Sequence, residues 1–393
     1  MGTIYTRRLA KPIFMVLILL ALISPVLGYP ADPDNAALYY YQAFLLYERP
    51  DDTTQHMLVD VAKAKIAPNE EIRDYVDGCH NAIYYAMVAA DMQQCNWGLM
   101  YSDGFSALFP HLAQTRHLLW TILADARILA ADGAYRQALE RCLAARKLAQ
   151  HVGDETIISF LVSASISQIA NSCLRDILGA LPQELETLKW LQNQLVSLTH
   201  RAPSTQATME AEREIAMANI SVEGIKVLAE QFGPEQGGQM LEHLGQVDEQ
   251  FLAANRDYYA QHTAAIQTTV ASPMTYESKF RKLKELDEKP RKDMAEDNSA
   301  TLTAAIAPAM WKVCNREVTS RTQSNATRAA IDIYIIKAET GRLPDALPIG
   351  LPKDLFSGED FAYEKTDDGF VLRCQGRDLE KDTVHEYQFK IAW

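Results

Sequence analysis

A chain of 393 residues that is 48% hydrophobic and 23% charged is long enough for two domains and apolar enough to fill their cores, which excludes an intrinsically disordered chain. Its formal net charge of −13 repels phosphate backbones and anionic lipid, so nucleic-acid and lipid-surface binding are disfavoured. Proteins, small molecules or cations remain as partners.

The first element is an export signal. Arg7, Arg8 and Lys11 precede an apolar run from Pro12 to Leu27, and Val26 and Gly28 are small enough for a signal-peptidase cut before Tyr29. Residues 1–28 are expected to be a cleaved signal peptide, placing the mature chain in the periplasm or outside the cell. The alternative, an uncleaved anchor, is disfavoured because the run falls short of the ~20 residues that span a bilayer and Pro25 breaks its end. Losing three cations takes the formal net charge from −13 to −16.

Residues 29–277 read as a helical domain. Asn35 is placed to cap a helix carrying Tyr40, Phe44 and Tyr47 on one stripe. A second long helix is expected from about Asn69 to Asp91. The glycine-bearing segment Cys95 to Gly104 has no helical period, and helices resume near Phe105. Turn signals follow at Asp132-Gly133, Gly153-Asp154, Gly179 to Pro182, Ala202-Pro203 and Gly233-Pro234, spaced as one helix plus its connection. Gly133, Tyr135, Ala138, Ala145 and Leu148, with Ala126 and Leu129 before them, fall at the spacing of a tetratricopeptide repeat (TPR). Cys142 and Gln150 depart from that pattern. The expected fold is mainly α: a TPR-like helical-repeat array or an irregular helical bundle.

Dense mixed charge from Ser278 to Asp297 implies a solvated helix or linker interrupted by Pro290, and residues 278–298 are taken as a boundary. A helical pattern from about Thr301 to Thr340, bent at Pro308, opens the last part, 299–393. Beyond Gly341 the stretches 361–363, 370–374 and 386–391 alternate with period two as half-buried strands do, and Asp367-Asp368-Gly369 marks a hairpin. The chain is thus expected to end in a small α+β module, a long helix with a short antiparallel sheet.

Tyr334, Gly341, Pro344, Gly350-Leu351-Pro352, Asp354, Gly358, Tyr363 and Gly369-Phe370 give residues 321–393 a motif order that resembles the C-terminal half of the major pseudopilins of type II secretion. Leu343 stands where that family prefers an aromatic. Pseudopilins also carry a Glu at the fifth position of an N-terminal apolar helix, and here no acidic residue precedes Asp32, so a standard pilus subunit is not implied. The chain is similar to exported bacterial proteins that place a helical domain before a pseudopilin-like tail. The resemblance implies a protein partner in the cell envelope and suggests a connection with a secretion or pilus-like apparatus. It also implies a calcium loop at 375–382, where Asp378, Glu380 and Asp382 supply three of the six or more oxygens calcium needs while Arg377 and Lys381 oppose it. An acidic surface turn is the simpler reading, and no cofactor is expected.

No H-E-x-x-H, G-x-S-x-G, phosphate-binding glycine loop or Rossmann fingerprint is present, so no catalytic residue is assigned. His111 and His117 lie nearly opposite on a helix, each expected to bond to a neighbour. The best local constellation joins an indole, a carboxylate, an imidazole and a guanidinium: Trp97, Asp103, His111 and Arg116, a candidate ligand cleft. The same residues are explained if Trp97 plugs the core and Asp103 caps the helix after it. Glu210, Glu212, Arg213 and Glu214 read as a solvated face. The six cysteines contain no C-x-x-C pair and read mainly as buried thiols, with Cys142 and Cys173 the best-placed pair for a bridge. The leading functional expectation is an exported, non-enzymatic interaction protein; the rival is an exported hydrolase or small-ligand carrier using 97–116.

Overall fold

Asn35 begins the described architecture as expected: its side chain accepts from the Ala37 amide at 3.2 Å and opens α1, Ala36–Leu46. The computed structural model describes residues 32–392 apart from 154–155, 200, 202, 232, 234–237 and 239–246, so the signal peptide expected at 1–28 lies outside the described residues. Asp51 caps α2, Asp52–Ala62, and Asn69 caps α3, Glu70–Gly78, whose first turn carries Glu70 and Glu71 against the helix dipole. The single helix expected over 69–91 is two helices. Glycine weakens the helix at Gly78, Cys79 takes a non-helical conformation, and α4 runs His80–Asp91.

After an irregular stretch and a 3-10 turn, Tyr101–Ser106, α5 spans Pro110–Ala131. It starts later than the expected Phe105 because Pro110 supplies a first residue with pre-set φ and no amide to satisfy. Gly133, at φ 78°, turns the chain into α6, Tyr135–Val152. The small residues Ala126, Ala138 and Ala145 are buried where α5 and α6 pack. α7 (Ile157–Ala180) packs on α6 and is long and apolar enough to cross a membrane, although over half of that stretch is buried inside the protein. α8 (Leu185–Thr199), α9 (Thr205–Asn219), α10 (Val222–Gln231) and α11 (Glu249–Ala271) follow.

The charged stretch holds α12, Tyr276–Asp293, which buries Phe280, Leu283, Leu286 and Pro290. Pro290 does not interrupt the helix as expected: it sits in the last turns, where only one ladder bond is lost and the ring is buried instead. Pro308 does more than bend the next one. It forces Ala307 into extended backbone (ψ 125°), separating α13 (Thr301–Ile306) from α14 (Met310–Thr340).

The mainly helical chain, with 14 α-helices among the described residues, ends in a three-stranded antiparallel sheet ordered β1 (Ala362–Thr366), β2 (Gly369–Arg373), β3 (Glu386–Lys390). Thr366 pairs with Gly369, so Asp367 and Asp368 form the expected hairpin turn. Phe370 opposite Phe389 and Leu372 opposite Tyr387 make the buried face, and Tyr334 of α14 meets Phe370 at 5.6 Å. α14 packs on α7 and α8 as well, and one cluster of buried side chains runs from Ala36 to Phe389. Asn35–Trp393 make a single compact unit.

Candidate functional site

The 97–116 region separates into a buried half and an exposed half. Trp97 is 3% exposed; its indole Nε1 donates to the His151 carbonyl at 2.7 Å, and its ring stacks on Tyr40 (5.4 Å), Phe44 (6.3 Å) and His111 (4.5 Å). Asn35 and Asn96 hold the loop to the start of α1 by reciprocal hydrogen bonds of 3.0 and 2.8 Å. His151 bridges from the other side. The Met92 carbonyl can only accept, so Nε2 bears the proton and Nδ1 accepts from the Tyr40 hydroxyl at 3.0 Å. His111 is fully buried on α5, and neither ring nitrogen has a hydrogen-bond partner among the described residues, contrary to the expected bonded histidine. Burial lowers both imidazoles, His111 and His151, to a pKa of about 4. Asp103 and Arg116 are exposed. The structure therefore brings Trp97 and His111 together and leaves the two charges of the candidate cleft in solvent.

The three acidic residues at 378–382 are turned toward donors of their own chain. Asp378 is fully buried: one oxygen accepts from Asn315 Nδ2 (3.1 Å) and the amides of Glu380 and Lys381, and the other contacts His385 Nε2 at 3.0 Å. Burial alone raises its pKa, but those donors outweigh it and hold the carboxyl below its ordinary value. Glu380 accepts from the same Asn315 amide at 2.7 Å, and Asp382 pairs with Arg377 at 2.8 Å. No group of three potential metal ligands is assembled among the described residues. Asp354, from the Gly-Leu-Pro-x-Asp segment, has a similar structural use. Its carboxylate accepts from Ser357 Oγ (2.7 Å) and from the amides of Phe356, Gln375 and Gly376 (2.9 Å each), tying two loops together.

Glu212 corrects another expectation: it is half-buried rather than solvated, accepting from the Ile157 amide at the start of α7 at 3.2 Å, and burial raises its pKa. The two best-placed cysteines, Cys142 on α6 and Cys173 on α7, are buried free thiols on two helices that pack together.

A cavity of about 500 Å³ opens where α3, α4, α5 and α6 converge. Val76, Ile83, Met87 and Ile128 give it an apolar lining. Its cations are already paired: Arg73 forks onto Asp132 with two bonds of 2.8 Å, and Arg141 meets Asp125 at 2.6 Å. Tyr84 stands at 61% exposure beside it. No family model, curated protein or solved structure matches this chain. The groove is thus read from its own residues. They are spread from Arg73 to Arg141 over four helices, with no local motif by which sequence could have found them. Rings, methyls and neutralised ion pairs make a surface suited to a polypeptide, since interfaces favour Tyr, Met and Arg.

Proposed function

We propose that this is an exported, non-enzymatic binding protein of the cell envelope that holds a polypeptide partner in the groove between α3, α4, α5 and α6. The observation that carries the reading is the groove itself: about 500 Å³, apolar inside, bordered by paired ions and by an exposed tyrosine. Cations already bound to carboxylates offer a phosphate backbone little, and the acidic chain repels it. The helix–turn–helix at 110–152, with small buried residues at its seam, supports a TPR-like unit, a scaffold that commonly presents such surfaces. The long helix, the αL glycine Gly341 and the three-stranded sheet support the resemblance of the tail to pseudopilins, and by analogy a place beside a secretion or pilus-like apparatus. The hydrolase reading has less to stand on, because Asp103 and Arg116 do not join the buried Trp97–His111 stack.

A photoreactive amino acid at Tyr84 tests this in the native envelope. It is expected to crosslink to one protein near stoichiometry, while the same group at the exposed Leu45 of α1 does not. Equal, diffuse labelling at both positions overturns the reading. N-terminal sequencing of the same material is expected to begin at Tyr29, and retention of 12–27 contradicts the cleaved signal.

A further inference from the structure

Arg146 is a buried cation without a counter-ion. It projects from α6 with 8% of its surface exposed, and no carboxylate lies within ion-pair distance of it among the described residues. Its guanidinium has five N–H donors. Two bonds to neutral acceptors are made, from Nη1 to Asn171 Oδ1 at 2.8 Å and from Nη2 to Ser324 Oγ at 3.4 Å. Two other arginines nearby meet acids: Arg127 of α5 pairs with Asp176, and Arg141 of α6 itself with Asp125. A guanidinium left alone in low dielectric is costly unless something negative reaches it.

A small cavity lies beside it, where α6, α7 and α14 meet. Its volume of about 60 Å³ is several times the ~10–15 Å³ that a single water needs. The hydroxyls of Ser163, Ser167 and Ser320 line it and make no side-chain hydrogen bond within the protein among the described residues, while Phe160 and Pro203 close an apolar side. Charge on the lining is unbalanced. Arg146 and Arg321 are opposed by Glu317 alone, and Glu317 is already engaged by Arg321 at 3.0 Å and by the Thr205 hydroxyl. One net positive charge, free hydroxyl donors and a volume of a few heavy atoms match a small anion carrying one negative charge. Glu317 disfavours a second.

We propose that this cavity is a binding site for one small monoanion, a carboxylate of formate or acetate size, held against Arg146 by its guanidinium and the surrounding serine hydroxyls. Burial, and then the charge of Arg328, pull the guanidinium down to about 10, so it stays charged at neutral pH, and a bound anion would raise it again. Because the lining comes from α6 and α7 on one side and α14 on the other, the anion braces the long tail helix to the array. This site is separate from the polypeptide groove and does not depend on it.

The test is thermal and urea unfolding of the mature chain in sodium formate, acetate, chloride and sulfate at matched ionic strength. Formate and acetate are expected to raise the folded-to-unfolded ratio in proportion to free anion above Kd, about elevenfold at ten times Kd, with sulfate ineffective. A response to chloride equal to that of acetate overturns the assignment to a carboxylate. Arg146→Met fits the stem of the side chain without its charge and is expected to fold and to lose the anion response; Ser320→Ala, which leaves the guanidinium in place, is expected to weaken it several-fold. A wild-type chain that responds alike to formate and sulfate overturns the proposal, as does an Arg146→Met variant that keeps the wild-type response.

Discussion

His111 is the side chain whose environment makes the sharpest demand. An uncharged ring fits its place against Trp97, but an imidazolium there meets no acceptor, because both nitrogens are buried without a hydrogen-bond partner among the described residues. Its pKa accordingly falls from 6.5 to about 4. On acidification the unfolded chain takes up this proton near pH 6.5, whereas the folded chain resists until about pH 4. Within that window the unfolded state binds more protons, so stability is complete above pH 6.5 and declines as pH falls toward 4. Each pH unit separating the folded from the unfolded titration is worth about 1.4 kcal/mol, so His111 alone accounts for roughly 2–3 kcal/mol lost by pH 4.5. His151 and His262 are also lowered to about 4, chiefly by burial, and add in the same direction. His111→Phe keeps an aromatic ring on Trp97 and deletes the titration. At pH 7 the relief of two unpartnered nitrogens, about 1–3 kcal/mol, and the larger ring, a cost of about 1–3 kcal/mol, largely cancel. The decisive measurement is urea unfolding of both proteins from pH 7.5 to 4.5. The wild type is expected to lose about 2–3 kcal/mol more than the variant over that range, since the acid response of every other group is shared. Parallel curves would refute the buried, neutral imidazole.

Two further predictions rest on contacts away from that ring. Asp354→Ala leaves three backbone amides and a hydroxyl without their acceptor, so a loss on the order of 3–5 kcal/mol is expected in chemical denaturation, with Asp354→Asn intermediate; a loss under about 1 kcal/mol rules out a latch at this carboxylate. Cys142 and Cys173, buried free thiols on the packed helices α6 and α7, are expected to be the pair that closes under mild oxidation, seen as joint protection from alkylation and one linked peptide; a linkage involving Cys79 or Cys374 in their place contradicts it.

The Trp97 loop marks where local sequence stops deciding structure. The residue types there are those of a ligand cleft, and nothing within the segment tells which rings turn inward. That choice was made by α1, which offers Tyr40, Phe44 and the Asn35 cap to the loop, and by His151 more than fifty residues later, which accepts the indole proton through its carbonyl. Asp103 and Arg116 then had nothing inside to join. The acidic loop at 378–382 behaves the same way. Its carboxylates look available in sequence, yet Asn315, some sixty residues earlier, engages two of them through α14.

Sequence alone determined what depends on neighbours a few residues away. Asn35 and Asn69 cap because a short side-chain oxygen reaches an amide two or three residues on. The three strands and the turn at Asp367-Asp368 follow from period-two alternation and a short polar turn. Gly341 closes α14 because only a residue tolerant of positive φ ends a helix that way. Tertiary structure alone decided the rest. Pro290 stays helical because the core buries its ring, the groove exists only where four helices converge, and Arg146 has no counter-ion among the described residues because α7 and α14 bring it an amide and a hydroxyl while the acid of α14, Glu317, is taken by Arg321. Each of these is set by the free energy of removing a group from water, and that depends on which distant residues replace the water.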